Sequence, residues 1–166
     1  MITTTLIMSA MTAMAATSTQ PLVEMPESLK GNPLVEEWNT PYQTPPFSEI
    51  EYAHYEPAID YAIELQRAEI DAIVNNPEAP TFENTIVAME QAGQLLNRAT
   101  GVFFCINGCM TSPEMQEIAL NITPKLTALG NDISLNPELF ERVKVVYNQR
   151  KKLKLDQEDM TLLENT

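Results

Sequence analysis

The stretch Asn75–Phe104, NNPEAPTFENTIVAMEQAGQLLNRATGVFF, decides the fold of this chain. It opens on two prolines, Pro77 and Pro80, which disfavour helix in the residues before them. Thr81 then offers a hydroxyl to the first free backbone N–H groups of a helix, and Asn84 occupies the position of the reciprocal capping residue. Behind this start, apolar and small residues recur at helical spacing: Phe82, Ile86, Met89, Gly93, Leu96, Thr100 and Phe103, with Val102 and Phe104 widening the stripe. The pattern predicts one long, half-buried helix that fades at Asn107-Gly108.

Four further helices are predicted from a start signal followed by an apolar stripe. The first begins near His54, with Pro57 where a helix start tolerates it, and the others follow the N-cap residues Ser112, Asn136 and Asp156. Their predicted inward residues are Tyr55, Ile59, Ala62, Ile63, Ile70, Ile73 and Val74; Met115, Ile118, Ala119, Ile122, Leu126 and Leu129; Leu139, Phe140, Val143, Val146 and Tyr147; Met160, Leu162 and Leu163. The sequence therefore predicts an all-α protein of long, amphipathic, roughly antiparallel helices.

Residues 21–53 differ from the rest, because they carry many prolines and little periodicity. We expect a Pro-rich extended strap, with Trp38 and Phe47 as anchors against the helices; an exposed aromatic binding site is the alternative. Residues 54–166 then form the helical lobe. Its fifth helix stops barely two turns after its cap, so we expect the lobe to be truncated within that helix.

The first twenty residues carry a separate signal. Leu6–Ala16 is apolar and small, and Ala13-Met14-Ala15 has the small-x-small form of a signal-peptidase site. No Lys or Arg precedes Lys30, so the usual basic start is missing. Residues 1–20 are predicted to be a signal peptide with an incomplete start, which implies a periplasmic or secreted protein. A flexible tail on a cytoplasmic protein is the alternative.

Composition and charge limit the classes of function. The chain has 166 residues and 44% hydrophobic content, which excludes a wholly disordered chain. Its 23 acidic and 10 basic residues give a net charge of -13, which opposes binding to nucleic acid. The acidity indicates a solvated surface or, more specifically, one that attracts basic peptides. The one basic cluster, Arg150-Lys151-Lys152 with Lys154, follows a predicted helix, where cations offset the helix dipole.

Residues able to do chemistry are few. The sequence contains no H-E-x-x-H, G-x-S-x-G, Walker or G-x-G-x-x-G pattern. His54 is the single histidine and is interpreted as a helix-start residue bonded to backbone. Cys105 and Cys109 share a helix face without further metal ligands, and we expect two buried or half-buried free thiols. The chain is therefore predicted to hold no catalytic, cofactor-binding or metal residue.

Four passages nevertheless resemble a known family. They are NPLVEEWNTPYQTPPF (32–47), HYEPAI (54–59), AEIDAIVNNPEAPTFENTIVAME (68–90) and NPELFERVKVVY (136–147). Together they resemble the N-terminal part of thimet-oligopeptidase-like zinc metallopeptidases, in the peptidyl-dipeptidase (dipeptidyl carboxypeptidase) and oligopeptidase A branch. The resemblance covers residues 32–166, most of the chain.

The resemblance implies the N-terminal lobe of a longer, two-lobed, all-helical peptidase whose deep channel admits short peptides. In that family a zinc ion in the C-terminal half activates water, and all of its ligands lie outside this sequence. The resemblance thus implies that this segment forms a wall of the substrate channel of a zinc peptidase. The substrates of the full-length protein are expected to be short oligopeptides, and a C-terminal catalytic lobe of the same chain is expected to complete the enzyme. A stand-alone helical module that binds peptides or a partner is the alternative.

Overall fold

The computed structural model describes residues 22–166, which form six α-helices and no strand. The helices are α1 (Tyr52–Val74), α2 (Ala88–Gln91), α3 (Gln94–Cys109), α4 (Pro113–Ser134), α5 (Pro137–Gln149) and α6 (Gln157–Asn165). A π-helical segment, Phe82–Val87, runs directly into α2, and short 3₁₀ turns occur at Glu27–Leu29 and Pro41–Gln43. The all-α prediction is confirmed. The predicted signal peptide, residues 1–20, lies outside the described residues.

Helices α1, α3 and α4 enclose the main core. Its fully buried members come from the strap and all three helices: Leu34, Ala58, Ile59, Ala99, Phe103, Met115 and Ile122. Tyr55 and Phe103 meet edge to face with their ring centroids 5.2 Å apart. The predicted inward stripes of α1 and α4 are confirmed, because their members are buried or pack against this core or, at the end of α1, against a cluster of Ile70, Ile73, Ala92 and Leu139.

Helices α1 and α4 run parallel, because they are the first and third of three long helices whose neighbours in sequence are antiparallel. Three polar contacts join them at a constant offset: Glu56 with Asn121, Asp60 with Lys125, and Arg67 with Asp132. Helix α3 is antiparallel to α1, since Tyr55 meets Phe103 whereas Glu69 meets Gly93. Helix α3 brings the chain back to the end of the molecule where α1 began, so α4 starts there and runs in the same direction as α1.

The predicted helix starts at four polar residues are confirmed by their cap hydrogen bonds. The Thr81 hydroxyl accepts from the Asn84 N–H at 3.1 Å, and the Asn84 side chain accepts from the Thr81 N–H at 2.8 Å. Ser112, Asn136 and Asp156 accept in the same way from the first turns of α4, α5 and α6. Each cap satisfies N–H groups that have no partner inside the helix.

The long helix predicted from the opening stretch is wrong in one respect, because it breaks at Gly93. Helix α2 ends at Gln91, Ala92 is extended, and Gly93 has a φ of 75° before α3 begins. The Glu69 carboxylate accepts the Gly93 N–H at 2.7 Å. Glycine tolerates this left-handed backbone. A hydrogen bond to a distant residue thus replaces one helical bond.

The start of α1 also differs from the prediction. The helix begins at Tyr52 rather than near His54, so Pro57 lies inside it. The cause is His54 itself, whose Nδ1 accepts the N–H of Glu51 at 3.0 Å and so closes the first turn from within. Its predicted role as a helix-start residue bonded to backbone is confirmed.

The strap is held on the helices by Arg98 and Trp38. Arg98, on α3, donates to the carbonyl oxygens of Leu34 at 3.2 Å and Val35 at 2.9 Å. Its guanidinium lies 5.0 Å from the Trp38 ring, and the Trp38 indole donates to the Pro33 carbonyl. Burial lowers the pKa of Arg98, although Glu37 opposes the shift. Trp38 is therefore an anchor, as predicted.

Helices α5 and α6 close a second, smaller core with the π-helical segment. Phe82, Ile86, Val146 and Leu163 are its buried members. Arg142 fastens α5 to the loop before that segment, donating to the carbonyl of Asn76 at 3.0 Å and to the Asn84 side chain at 3.4 Å. The loop is thus secured by a residue far along the chain.

Two residues predicted to face inward on α5 do not. Phe140 is 60% exposed and Tyr147 is 39% exposed, whereas Leu139 and Val146 are buried. Both faces of α5 carry large apolar side chains, so periodicity alone could not choose between them. Contacts with distant residues decide which stripe is buried: Leu139 packs with Ile70 and Ile73, and Val146 packs with Phe82 and Ile86.

Among the described residues, no helix is both long enough and apolar enough to cross a lipid bilayer.

Candidate functional site

Histidine, cysteine and acidic side chains do not converge on a metal site within residues 22–166. No three of them are placed to hold one ion together. The zinc ion implied by the sequence resemblance therefore does not fit the described part of this chain, and no step through it can be assigned to these residues. The absence of catalytic residues stays a prediction.

The two cysteines are exposed, so the expectation that they are buried or half-buried is wrong. Cys105 and Cys109 both lie on α3 and are unpaired thiols. The apolar stripe of α3 passes through Leu96, Val102 and Phe103, and the helix presents its cysteines beside that stripe rather than on it. The thiols are therefore open to reagents from solvent.

One groove lies between the strap and helices α1 and α4. Its volume is about 710 Å³, and its apolar walls include Val23, Leu29, Ile63 and Ala128. The Asp60–Lys125 pair, with Nζ 2.6 Å from Oδ1, stands on its rim. The groove also contains the carboxylates of Glu24 and Glu64, so it combines a mainly apolar surface with a few charged groups at its edge.

A second groove of about 630 Å³ lies between the end of the strap and the facing ends of α1 and α3. Its walls are aromatic and apolar: Phe47, Tyr52, Tyr55, Ile106 and Met110. Phe47 is half exposed here, so the prediction that it anchors the strap is wrong, and its position fits the alternative of an accessible aromatic surface. Burial, and to a lesser degree Tyr52, raises the pKa of Tyr55. A neutral phenol can donate a hydrogen bond but cannot act as a base near neutral pH.

Aromatic and basic side chains alternate along the outer side of α5. The Lys144 ammonium lies 5.8 Å from the Phe140 ring centroid, and the Arg150 guanidinium lies 3.9 Å from that of Tyr147. The chain then continues through exposed lysines at 151, 152 and 154, while Leu153 packs inward. We call this surface the aromatic–basic face; its members are Phe140, Lys144, Tyr147, Arg150, Lys151, Lys152 and Lys154.

The aromatic–basic face concentrates the positive charge of the chain. Six of the ten Lys and Arg residues lie within 142–154, five of them on this face and the sixth, Arg142, bound to the Asn76 carbonyl; no Asp or Glu lies in that range, although Glu141 just before it pairs with Lys144. With a net charge of -13, the other residues therefore carry -13 - 6 = -19. The sequence held the signal that finds this surface: an aromatic residue followed by a cation three or four positions later, twice on one helix.

Comparison with characterised proteins gives matches to peptidases. Over 133 residues, 80% of the chain, it is 46% identical to dipeptidyl carboxypeptidase from Salmonella typhimurium and 44% identical to dipeptidyl carboxypeptidase from Escherichia coli. Oligopeptidase A from Escherichia coli is 26% identical over 110 residues, 66% of the chain. No protein-family profile matches.

The match covers most of this chain but only 20% of each dipeptidyl carboxypeptidase and 16% of oligopeptidase A. The chain thus spans about a fifth of the length of the first two relatives. Its all-helical structure agrees with the resemblance drawn from the sequence. The chain therefore belongs to the peptidase family that contains the bacterial dipeptidyl carboxypeptidases and, more distantly, oligopeptidase A.

Proposed function

We propose that this chain is the N-terminal part of a zinc-dependent peptidase that releases dipeptides from the C-terminus of short oligopeptides. The observation that carries the proposal is the difference in identity between the two groups of relatives. Identity is 46% to a dipeptidyl carboxypeptidase and 26% to an oligopeptidase A. This difference favours removal of C-terminal dipeptides over cleavage within the peptide.

Within such an enzyme, the proposed role of this segment is to wall the substrate channel. Two features support a wall rather than a catalytic centre. The described residues bring no metal-ligating cluster together, and the walls of the two grooves are mainly apolar. A wall of this kind limits access to extended, short peptides by its shape, while zinc and its ligands come from the longer polypeptide.

The deciding experiment expresses the gene product that continues beyond Thr166, loads it with zinc and offers it a blocked tetrapeptide. We expect one dipeptide to be released from the C-terminus, and we expect a C-terminal amide on the substrate to abolish release. Residues 1–166 alone serve as the control and should be inactive with or without zinc. Cleavage by that control in the presence of a chelator would contradict the proposal, as would a continuing reading frame that lacks H-E-x-x-H.

Export to the periplasm or beyond is part of the proposal. Its support is the apolar run Leu6–Ala16, which contains the small-x-small sequence Ala13-Met14-Ala15 near its end. Mass spectrometry of the mature N-terminus tests it. A start shortly after Ala15 is expected, and an intact Met1 on a cytoplasmic protein would contradict export.

The second candidate function is a stand-alone helical module that binds peptides or a partner without catalysis. The core of the described part favours this function, because residues 22–166 by themselves bury its members completely. These members are Leu34, Ile59, Phe103, Met115 and Ile122. Circular dichroism during heating, combined with peptide titration, separates the two. A module should melt cooperatively and bind short uncharged peptides in its grooves without zinc, whereas a segment that needs its missing lobe should melt broadly and leave the grooves empty.

A further inference from the structure

We propose that the aromatic–basic face is a docking surface for an acidic polypeptide segment that also carries apolar side chains. This interaction lies beyond the proposed peptidase function and does not depend on it. The face differs from the two grooves in that it offers charge together with exposed aromatic rings. Its local charge is opposite in sign to that of the chain as a whole.

The helix dipole does not account for these cations. Helix α5 ends at Gln149, and Arg150 alone bonds a terminal carbonyl, that of Tyr147, at 2.9 Å. Dipole effects fade within the last turn of a helix, so the lysines beyond it gain little from them. Within residues 22–166, Lys151, Lys152 and Lys154 form no ion pair. Three neighbouring like charges without partners are a cost that binding of an acidic segment would relieve.

The lysines are also held in position. Leu153 and Leu155 pack against the second core, beside Val146 and Leu163. Lys152, in the turn after α5, and Lys154 flank Leu153 in sequence, and both lysines are exposed while Leu153 and Leu155 are partly buried. The positive charge is therefore presented from an anchored segment, and ordering a partner against it costs less than it would on a free tail.

The two aromatic rings supply anchors of the kind that interfaces use. Phe140 and Tyr147 are seven residues apart on one helix, which separates them by about 10 Å along the axis. Large aromatic side chains carry much of the binding energy at protein interfaces because they bury area with few rotatable bonds. Arg150 lies over the Tyr147 ring, so a carboxylate that approaches Arg150 brings neighbouring apolar atoms onto that ring; Lys144, over Phe140, is already paired with Glu141 at 2.8 Å.

The charge of the remaining surface favours a polypeptide over the other anionic partners. Nucleic acid and anionic membranes extend far beyond a patch of this size and would meet the -19 carried by the other residues. Acidic residues begin again at Asp156, Glu158 and Asp159, immediately after the last lysine. A short acidic segment can cover the patch and stop before these carboxylates.

The test measures fluorescence anisotropy of a labelled peptide of three Glu-Glu-Leu-Phe repeats with the chain Met1–Thr166. A peptide of three Lys-Lys-Leu-Phe repeats is the charge control, and a twelve-residue polyglutamate is the control without apolar side chains. A twelve-nucleotide single-stranded DNA and phosphatidylglycerol vesicles represent the other anionic partners. We expect the Glu-Glu-Leu-Phe peptide to bind most tightly and to weaken as salt is raised.

Two variants locate the contact. Lys151→Gln with Lys152→Gln and Lys154→Gln removes the charge, and Phe140→Ala with Tyr147→Ala removes the rings; each should weaken binding about tenfold. Leu120→Ala, at a 75% exposed position on α4, is the matched control and should change nothing. Circular dichroism checks that each variant stays helical.

Several results would overturn the proposal. One is equal affinity for the lysine peptide or for polyglutamate. Another is tighter binding of DNA or vesicles than of the peptide. The third is unchanged affinity in the lysine variant, whose substitutions are at solvent-exposed positions and should not prevent folding.

Discussion

Gly93 lies so close to Gln66 that a Cβ added to the glycine would be 2.4 Å from the Gln66 Cδ. The glutamine tip can move aside, but the backbone of Gly93 cannot, because its φ of 75° is set by the break between α2 and α3. Gly93→Ala should therefore lower the free energy of unfolding by about 1–2 kcal/mol, the cost of a left-handed backbone for a residue with a Cβ. Urea denaturation followed by circular dichroism measures it.

Gly101 provides the matched control for that change. It lies inside α3 with nothing within 4 Å of an added Cβ. Gly101→Ala should leave stability unchanged or raise it by about 0.5–1 kcal/mol, since alanine loses less backbone entropy in a helix. A similar loss in both variants would contradict the special role of the Gly93 backbone.

Arg98 should matter to the strap more than to the helices. Arg98→Ala leaves the Leu34 and Val35 carbonyls without their donor, and we expect a loss of about 2 kcal/mol. Hydrogen exchange measured by mass spectrometry should rise in residues 32–38 and stay low in α4. Arg98→Lys should restore little, because one ammonium cannot reproduce the planar donor fork.

Arg67→Ala is the control for Arg98. Arg67 forms an ion pair with Asp132 at the surface, with 36% and 57% of the two side chains exposed. Exposed pairs contribute roughly 0–1 kcal/mol. If Arg67→Ala opened the strap as much as Arg98→Ala, the hydrogen bonds to the strap carbonyls would not be its fastening.

The start of α4 should respond to acid. The Glu114 backbone N–H, and then the Ser112 hydroxyl, hold the pKa of the Glu114 carboxyl below its ordinary value of 4.5. A lowered pKa in the folded state means that this stabilisation is present above pH 4.5 and is lost as pH falls through the lower folded value. Carboxyl titration by NMR should give a midpoint below 4.5 for Glu114.

Ser112→Ala tests the cause of that shift. The substitution removes one of the two hydrogen bonds to Glu114, so the Glu114 pKa should move back toward its ordinary value. It also removes the bond from the Met115 N–H to the serine hydroxyl, at a cost of about 1 kcal/mol. An unchanged Glu114 midpoint in this variant would contradict the contribution of the hydroxyl.

The exposed cysteines should react without unfolding. We expect Ellman's reagent to titrate two thiols per native chain, at a rate close to that in denaturant, because Cys105 and Cys109 are both open to solvent. Cys105→Ser and Cys109→Ser should each leave one reactive thiol. Reaction that appears only after denaturation would show instead that the thiols are covered.

Local signals in the sequence predicted the elements well. The caps at Ser112, Asn136 and Asp156 could be recognised because a helix start depends on residues three positions apart. The resemblance added the family, which no short motif on this chain could supply. Both the helix caps and the family resemblance can be recognised from residues that lie close together in the sequence.

The predictions of structure were wrong at positions whose conformation or burial depends on residues far away in the sequence. The break at Gly93 depends on Glu69, and the outward position of Phe140 depends on which stripe of α5 meets Phe82. Neither partner is near in sequence, so helical spacing gave no warning. The aromatic–basic face was missed for the same reason, because its rings were assigned to the core.

The hydrogen bonds from Arg142 to the loop before the π-helical segment can form only late during synthesis of the chain. During synthesis the Asn76 carbonyl leaves the ribosome 66 residues ahead of the guanidinium that will bind it. Until Arg142 has been synthesised, water must solvate the Asn76 carbonyl, and the loop before the π-helical segment lacks the hydrogen bonds that hold it to α5. Contacts at such separation form late in folding, so this corner should resist a protease on the nascent polypeptide later than the core of α1 and α3 does.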